Sequence, residues 1–311
     1  MPSRRSYLAG LGSLGCGFSL AGCLGDEPAA TETTRSPTPT PEVRSFGNEA
    51  TVGGATMTPS AVHPQSSFVW VADDWADVLR LGDQWVAFVR LSVGGDPEAA
   101  PPRGAFSLVA DDTSFVARER LGEAPVGLVS PDEAVAASPY DPTDRSEGWL
   151  AFTVPSGFES ASDLRLWLEH DGDTAQWSVP SEATARLAGP RPTFEVTSFD
   201  VPERVSASET AEVTVTARNT GDVHGVFRGC INTTGMYSFS SIERPLEVGA
   251  ETTWTETLQA SHYAPGGGTF TCNLRTAGDD ERERTVEVVA DGTSTTTPTT
   301  TETTTTGREQ S

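Results

Sequence analysis

The sequence predicts an all-β protein: two β-sandwich domains set between an N-terminal spacer and a C-terminal threonine-rich tail, both expected to be disordered. Three observations predict it. Short segments alternate apolar and polar residues with a period of two, turns rich in Gly, Pro, Asp and Asn separate them, and no segment keeps a 3.6-residue apolar period for long. The chain has 311 residues, enough for about two ordinary domains. Its apolar residues and glycine together make up about 45%, the share of a chain that folds.

Taken in order, residues 1–22 read as a signal segment. Arg4 and Arg5 precede an apolar run from Leu8 to Leu24 that is rich in small residues and bounded by Asp26 and Glu27. Paired arginines before a short apolar stretch resemble the twin-arginine export signal. Leu20, Ala21, Gly22 and Cys23 resemble a lipobox, in which small residues admit a signal peptidase and the following cysteine receives lipid. An apolar run of about 17 residues is at the short limit for a membrane-spanning helix, and its glycines weaken a helix further. Lipid chains contribute about 0.8 kcal/mol per buried CH₂, so Cys23 is expected to tether the protein to the membrane. Residues 23–45 then form a spacer stiffened by Pro37, Pro39 and Pro41, with almost nothing to bury.

The first domain is expected at 46–187. In Trp85 to Val93 every odd position is apolar, a face suited to a half-buried strand, and Leu164, Leu166 and Leu168 alternate with Arg165, Trp167 and Glu169. Pro131 to Ala137 reads as one short helical turn. Residues 188–192, with Pro190 and Pro192, read as a linker because proline breaks a strand. The second domain, 193–290, contains two clean alternations, Ala211 to Arg218 and Thr269 to Arg275. In the tail, 291–311, 11 of the 14 residues from Thr293 to Thr306 are threonine, which suits a disordered or O-glycosylated stalk. It carries no apolar segment, so no second anchor is expected.

The first domain resembles the immunoglobulin-like family of unknown function found in bacterial and archaeal lipoproteins. The resemblance is carried by Val52-Gly53-Gly54, the Trp85 to Val93 strand, Phe106 to Val109 and Trp149 to Pro155, although Gly94-Gly95-Asp96 stands where that family has an Asn-Gly pair. The second domain resembles the cell-adhesion-related domain found in bacteria through Phe194 to Val196, Glu209, Val213 to Val215, Asn219 to Gly221 and Glu251 to Trp254. The resemblances imply two immunoglobulin-like sandwiches at a cell surface and supply no catalytic residues. As a whole the chain resembles a haloarchaeal lipoprotein exported by the twin-arginine route.

Charge agrees with that setting. There are 44 acidic and 21 basic residues, every basic one is arginine, and the net charge is −23. Such a surface stays soluble in molar salt, where the Debye length falls to about 3 Å, and is expected of a halophile. A nucleic-acid partner is excluded, because phosphate recognition needs a cationic stripe.

With Cys16 lost and Cys23 lipidated, Cys230 and Cys272 remain and are expected to form a disulfide outside the cell. Closing a loop of roughly 40 residues would contribute about 4 kcal/mol. Strict alternation puts Cys230 on the face of His224 and Arg228, so the bridge requires either a bulge at Gly229 or a place at an edge.

Other candidates are weaker. Asn232-Thr233-Thr234 is the sole N-glycosylation sequon. His63, His170, His224 and His262 lack metal-ligand spacing, though His224 and His262 precede the two cysteines. Acidic pairs such as Asp73-Asp74, Asp111-Asp112 and Asp279-Asp280 lack the spacing of a calcium loop. No nucleophile elbow or zinc-hydrolase motif occurs, so neither enzyme activity, metal nor cofactor is expected. Trp167, on the polar face of its strand, is a candidate binding anchor.

The expected role is non-catalytic: presenting a binding, adhesion or structural surface to an unidentified surface protein or glycan, on the extracytoplasmic face of the cell membrane. The alternative is an accessory subunit that binds a small ligand or metal for a membrane transport or redox system.

Overall fold

The computed structural model describes residues 42–291, apart from 133–134, 136–137, 144–146, 159–162, 236–237 and 279–280. The signal segment, lipobox, almost all of the spacer and tail, and most of the helical turn expected at 131–137 lie outside the described residues.

The structure is all-β. The first fourteen strands are β1 (Val43–Ser45), β2 (Ala50–Val52), β3 (Ala55–Gln65), β4 (Phe68–Ala72), β5 (Trp75–Leu79), β6 (Gln84–Gly95), β7 (Phe106–Ala110), β8 (Thr113–Val116), β9 (Arg120–Leu121), β10 (Ala124–Pro125), β11 (Val129–Ser130), β12 (Glu147–Pro155), β13 (Arg165–His170) and β14 (Asp173–Ser178). After helix α1 (Ser181–Ala188) come β15 (Phe194–Asp200), β16 (Arg204–Ser206), β17 (Thr210–Asn219), β18 (Gly225–Thr233), β19 (Ser238–Leu246) and β20 (Glu251–Gln259). A short helix α2 (Ala260–Tyr263) leads to β21 (Gly268–Thr276) and β22 (Arg282–Val289).

Two sheets, β1-β14-β13-β7-β8 and β12-β6-β3-β2, enclose the first core. Leu166 and Leu168 of β13 meet Trp85, Ala87, Val89 and Leu91 of β6 there. Strand β6 was expected to be half-buried, and here the structure differs. Its even positions Val86 and Phe88, with Trp149 and Ala151 of β12, are buried as well, under a third layer made by β11-β4-β5 and the β9-β10 ribbon.

The β4-β5 hairpin is itself buried on both faces. Phe68, Trp70 and Leu79 pack toward β6 and β12, whereas Val69, Val71, Ala76 and Val78 pack on β18 around Cys230. Alternation along each strand makes this division automatic, because successive side chains point to opposite faces. Beyond the hairpin, sheets β16-β22-β21-β18-β19 and β15-β17-β20 enclose another core around Val213, Val215, Ile231, Phe270 and Leu274.

The segment 188–192 connects the two parts and is tied down. Gly189 O accepts a hydrogen bond from Trp85 Nε1 at 3.1 Å, and Arg191 pairs with Asp83 at 2.9 Å. Pro192 passes so close to the start of β18 that a Cβ on Gly225 would lie 2.4 Å from its Cγ, so the crossing requires glycine.

Candidate functional site

The interface between the hairpin and β18 is built from alternation. Phe227 and Ile231 join the core enclosed by β17 and β21, and a Cβ on Gly229 would touch Ile242, so this face turns inward. Arg228, Cys230 and Asn232 therefore project from the other face, toward the hairpin, where each is buried.

This placement corrects the disulfide expectation. Cys230 stands opposite Arg275 and Cys272 opposite Thr233 in the β18-β21 register, which runs without a bulge through Gly229. One thiol lies against Val69, Ala76 and Val78, the other in the core on the far side of the same sheet, and both are free. Opposite faces put their Cβ vectors apart, which no disulfide geometry tolerates. Burial pushes each thiol up to about 12, so neither is a nucleophile near neutral pH.

The sequon, which suits either a glycan site or a plain turn or strand end, falls on the same face. Asn232 is 1% exposed, its Oδ1 accepts from Ala76 N at 2.8 Å and its Nδ2 donates to Ala76 O at 2.8 Å. A carboxamide so occupied is closed to a transferase. The sequon threonine, Thr234, accepts a bond from Thr271 N at 2.8 Å.

Arg228, 3% exposed, holds an ion cluster across the interface. Its guanidinium pairs with Asp132 from the loop after β11, bonds Glu243 Oε1 of β19 at 3.0 Å and reaches Ser67 Oγ at 3.4 Å. Desolvation, a hydrogen bond with Asp132 and the Asp132 charge raise Glu243 to about 7, against the opposing pull of Arg228. Burial lowers His63, the Asp132 charge opposes this less strongly, and Arg90 lowers it a little further. Sequence reasoning missed this cluster. The available signal was an arginine inside the apolar run of β18, since a buried charge needs partners.

Beside the interface lies an open groove of about 620 Å³, walled by Val62, Pro64 and Pro180 on one side and Val226 and Pro245 on the other. Arg186 of α1 crosses it, donating to His224 O at 2.6 Å and to His224 Nε2 at 2.8 Å, while its guanidinium stacks 5.3 Å from the Trp85 ring.

Among the described residues, no three His, Cys, Asp or Glu side chains are grouped to hold a metal. Asp73-Asp74, Asp111-Asp112 and Asp171-Gly172 are two-residue hairpin turns whose first aspartate has φ between 47° and 56°. Aspartate tolerates that left-handed backbone, so turn chemistry accounts for these acidic clusters. Asp279 and Asp280 lie outside the described residues. Trp167 is partly exposed on the face of β13 opposite the core, whereas Trp85, Trp149 and Trp177 are fully buried.

No family model matches the chain, and no curated protein matches it. Among solved structures, a beta-glucosidase from Listeria innocua in complex with glucose is similar over 32% of this chain and 16% of its own, at 19% identity and a TM-score of 0.28. A beta-glucosidase from Bifidobacterium adolescentis covers 31% of this chain and 17% of its own at 19% identity and a TM-score of 0.27. A beta-D-glucoside glucohydrolase from Trichoderma reesei covers 32% and 19% at 16% identity and a TM-score of 0.26. The chain thus spans less than a fifth of each, and these likenesses carry no functional argument.

Proposed function

We propose that the protein is a lipid-anchored, non-catalytic surface protein that holds two immunoglobulin-like domains at a fixed mutual orientation outside the cell membrane. The observation that carries this reading is Leu20-Ala21-Gly22-Cys23 behind Arg4-Arg5, followed by a Thr/Pro stretch before the first strand. Lipid on Cys23 anchors the chain, the stretch lifts the folded part off the bilayer, and the acidic surface keeps it dispersed in concentrated salt. The two sheets β15-β17-β20 and β16-β22-β21-β18-β19 around one core support the immunoglobulin-like assignment of the second domain. Burial of the β4-β5 hairpin on both faces supports a stiff joint.

The test is processing of the full chain in a salt-loving host. Wild type is expected in the membrane fraction with a mature N-terminus at a lipid-modified Cys23, and Cys23→Ser in the medium or unprocessed. Membrane retention of fully processed Cys23→Ser, or wild type in the cytosol with its leader intact, overturns the reading.

The groove beside Arg186 favours a second reading, an accessory subunit binding a small ligand, because concave sites with a few polar groups suit small molecules. Cross-linking in intact cells separates the two: a protein or glycan partner supports presentation, and a transporter subunit as sole partner supports the accessory role.

A further inference from the structure

A second, smaller cleft lies on the other flank of the interface, with a volume of about 60 Å³. By that measure it holds roughly four waters, enough for an anion of a few heavy atoms. The first domain contributes Ser67, between β3 and β4, and Arg80, just after β5; the second contributes Arg228 of β18 and Thr276 at the end of β21. The rings of Phe194 and Phe227, 5.8 Å apart, make an apolar wall.

In a chain with a net charge of −23, two guanidiniums line this cleft and, among the described residues, no carboxylate does. Arg80 makes no ion pair or hydrogen bond among the described residues, although Arg191 is near enough for the two like charges to repel. Arg191 is itself paired with Asp83 at 2.9 Å, which leaves Arg80 as the guanidinium beside this cleft that no described carboxylate answers. The Arg228 Nη1 donor is spent only on a long 3.4 Å bond to Ser67. Ser67 is 3% exposed, and neither its hydroxyl proton nor that of Thr276 is donated to any described group. The charge of Arg228 is answered by Asp132 and Glu243, so the donors left without a matching acceptor are the Arg80 guanidinium and the Ser67 and Thr276 hydroxyls, with Arg228 Nη1 held only loosely, and together these complement an oxyanion.

We propose that this interdomain cleft binds one small oxyanion, a phosphate, sulfate or carboxylate group, through Arg80, Arg228, Ser67 and Thr276. The anion bonds residues of both domains, so its binding stabilises their joint. The inference does not rest on the lipid anchor or on the presentation role.

Isothermal titration calorimetry tests it, on the full chain in detergent and in potassium chloride of fixed ionic strength, with no oxyanion in the buffer. The probes are inorganic phosphate, sulfate and acetate. One saturable site is expected for at least one of them, weakened at least tenfold in Arg80→Gln and also weakened in Thr276→Val. Both residues lie outside the cores, and circular dichroism without anion checks that the variants fold. Binding of phosphate and sulfate alone assigns a tetrahedral anion, and binding of acetate assigns a carboxylate. Absence of saturable heat with all three, or unchanged affinity in both variants, overturns the proposal.

Discussion

The side-chain amide of Asn232 closes a two-bond ring on the backbone of Ala76, giving and receiving one hydrogen bond of 2.8 Å each, across 156 residues of chain. Both residues are buried, so the amide substitutes for a strand partner that the β5 edge would otherwise lack at this position. Asn232→Ala strands a buried N–H and C=O, and is expected to cost about 2–4 kcal/mol, read as a lowered Tm in thermal denaturation. Asn232→Asp also destabilises at neutral pH, because a carboxylate cannot donate to Ala76 O. Treatment with a glycan-removing amidase is expected to leave the wild-type mobility unchanged; a shift that maps to residue 232 contradicts this placement.

The two thiols give an independent check. Because Cys230 and Cys272 are free and buried with raised pKa values, a thiol reagent at pH 8 is expected to leave both untouched in the folded protein. In denaturant without reductant both should be alkylated, as read by intact mass. A denatured protein that takes no label at these positions contains the bond that the strand register forbids.

Much of this was legible in the sequence, and the part that was not has a physical cause. Alternation located β6, β13, β17 and β21 and correctly put Cys230 on the face of Arg228. It could not say what covers that face. Phe68-Val69-Trp70-Val71 is an unbroken apolar run, which periodicity cannot assign to one face because both are buried. Without that hairpin the sequence leaves Asn232 open between a glycan acceptor and a plain turn or strand end, and pairs the cysteines by compartment and count alone. The Arg228 cluster joins positions 67, 132, 228 and 243, and no local pattern encodes such distant pairs.

The cluster makes stability depend on pH in a definite direction. Glu243 titrates at 4.5 when unperturbed and is raised to about 7 in the fold, so between these values the folded chain holds a proton that the unfolded chain has released. Its contribution is complete below about 4.5 and is lost as pH rises through about 7. Glu243 is 41% exposed, so after solvent screening the loss is about 1 kcal/mol. Glu243→Gln is expected to flatten this part of the pH profile of Tm while leaving the Arg228 pair with Asp132 intact. An unchanged slope in the variant shows that another group carries it. Arg228→Met is harsher at high pH than at low pH, since it leaves two neighbouring carboxyls without their cation.

Val78 tests whether the hairpin joins the two parts of the fold, each built around its own core. Its side chain is 4% exposed and packs with Val69, Ala76 and Cys230, away from the Phe68 and Leu79 layer that covers β6 and β12. Val78→Asp puts an unpaired carboxylate between the hairpin and β18, where a buried charge without a partner costs several kcal/mol. Relief comes by parting the hairpin from β18, which leaves both cores unaltered. Limited proteolysis should then cut between α1 and β15, in the segment that Trp85 and Arg191 now hold, and release two protected fragments. Val78→Ala, which removes only apolar contact, should lower Tm by a smaller step and leave the segment uncut. Equal resistance to protease in wild type and Val78→Asp rules out the hairpin as the connection that keeps the two parts of the fold in register.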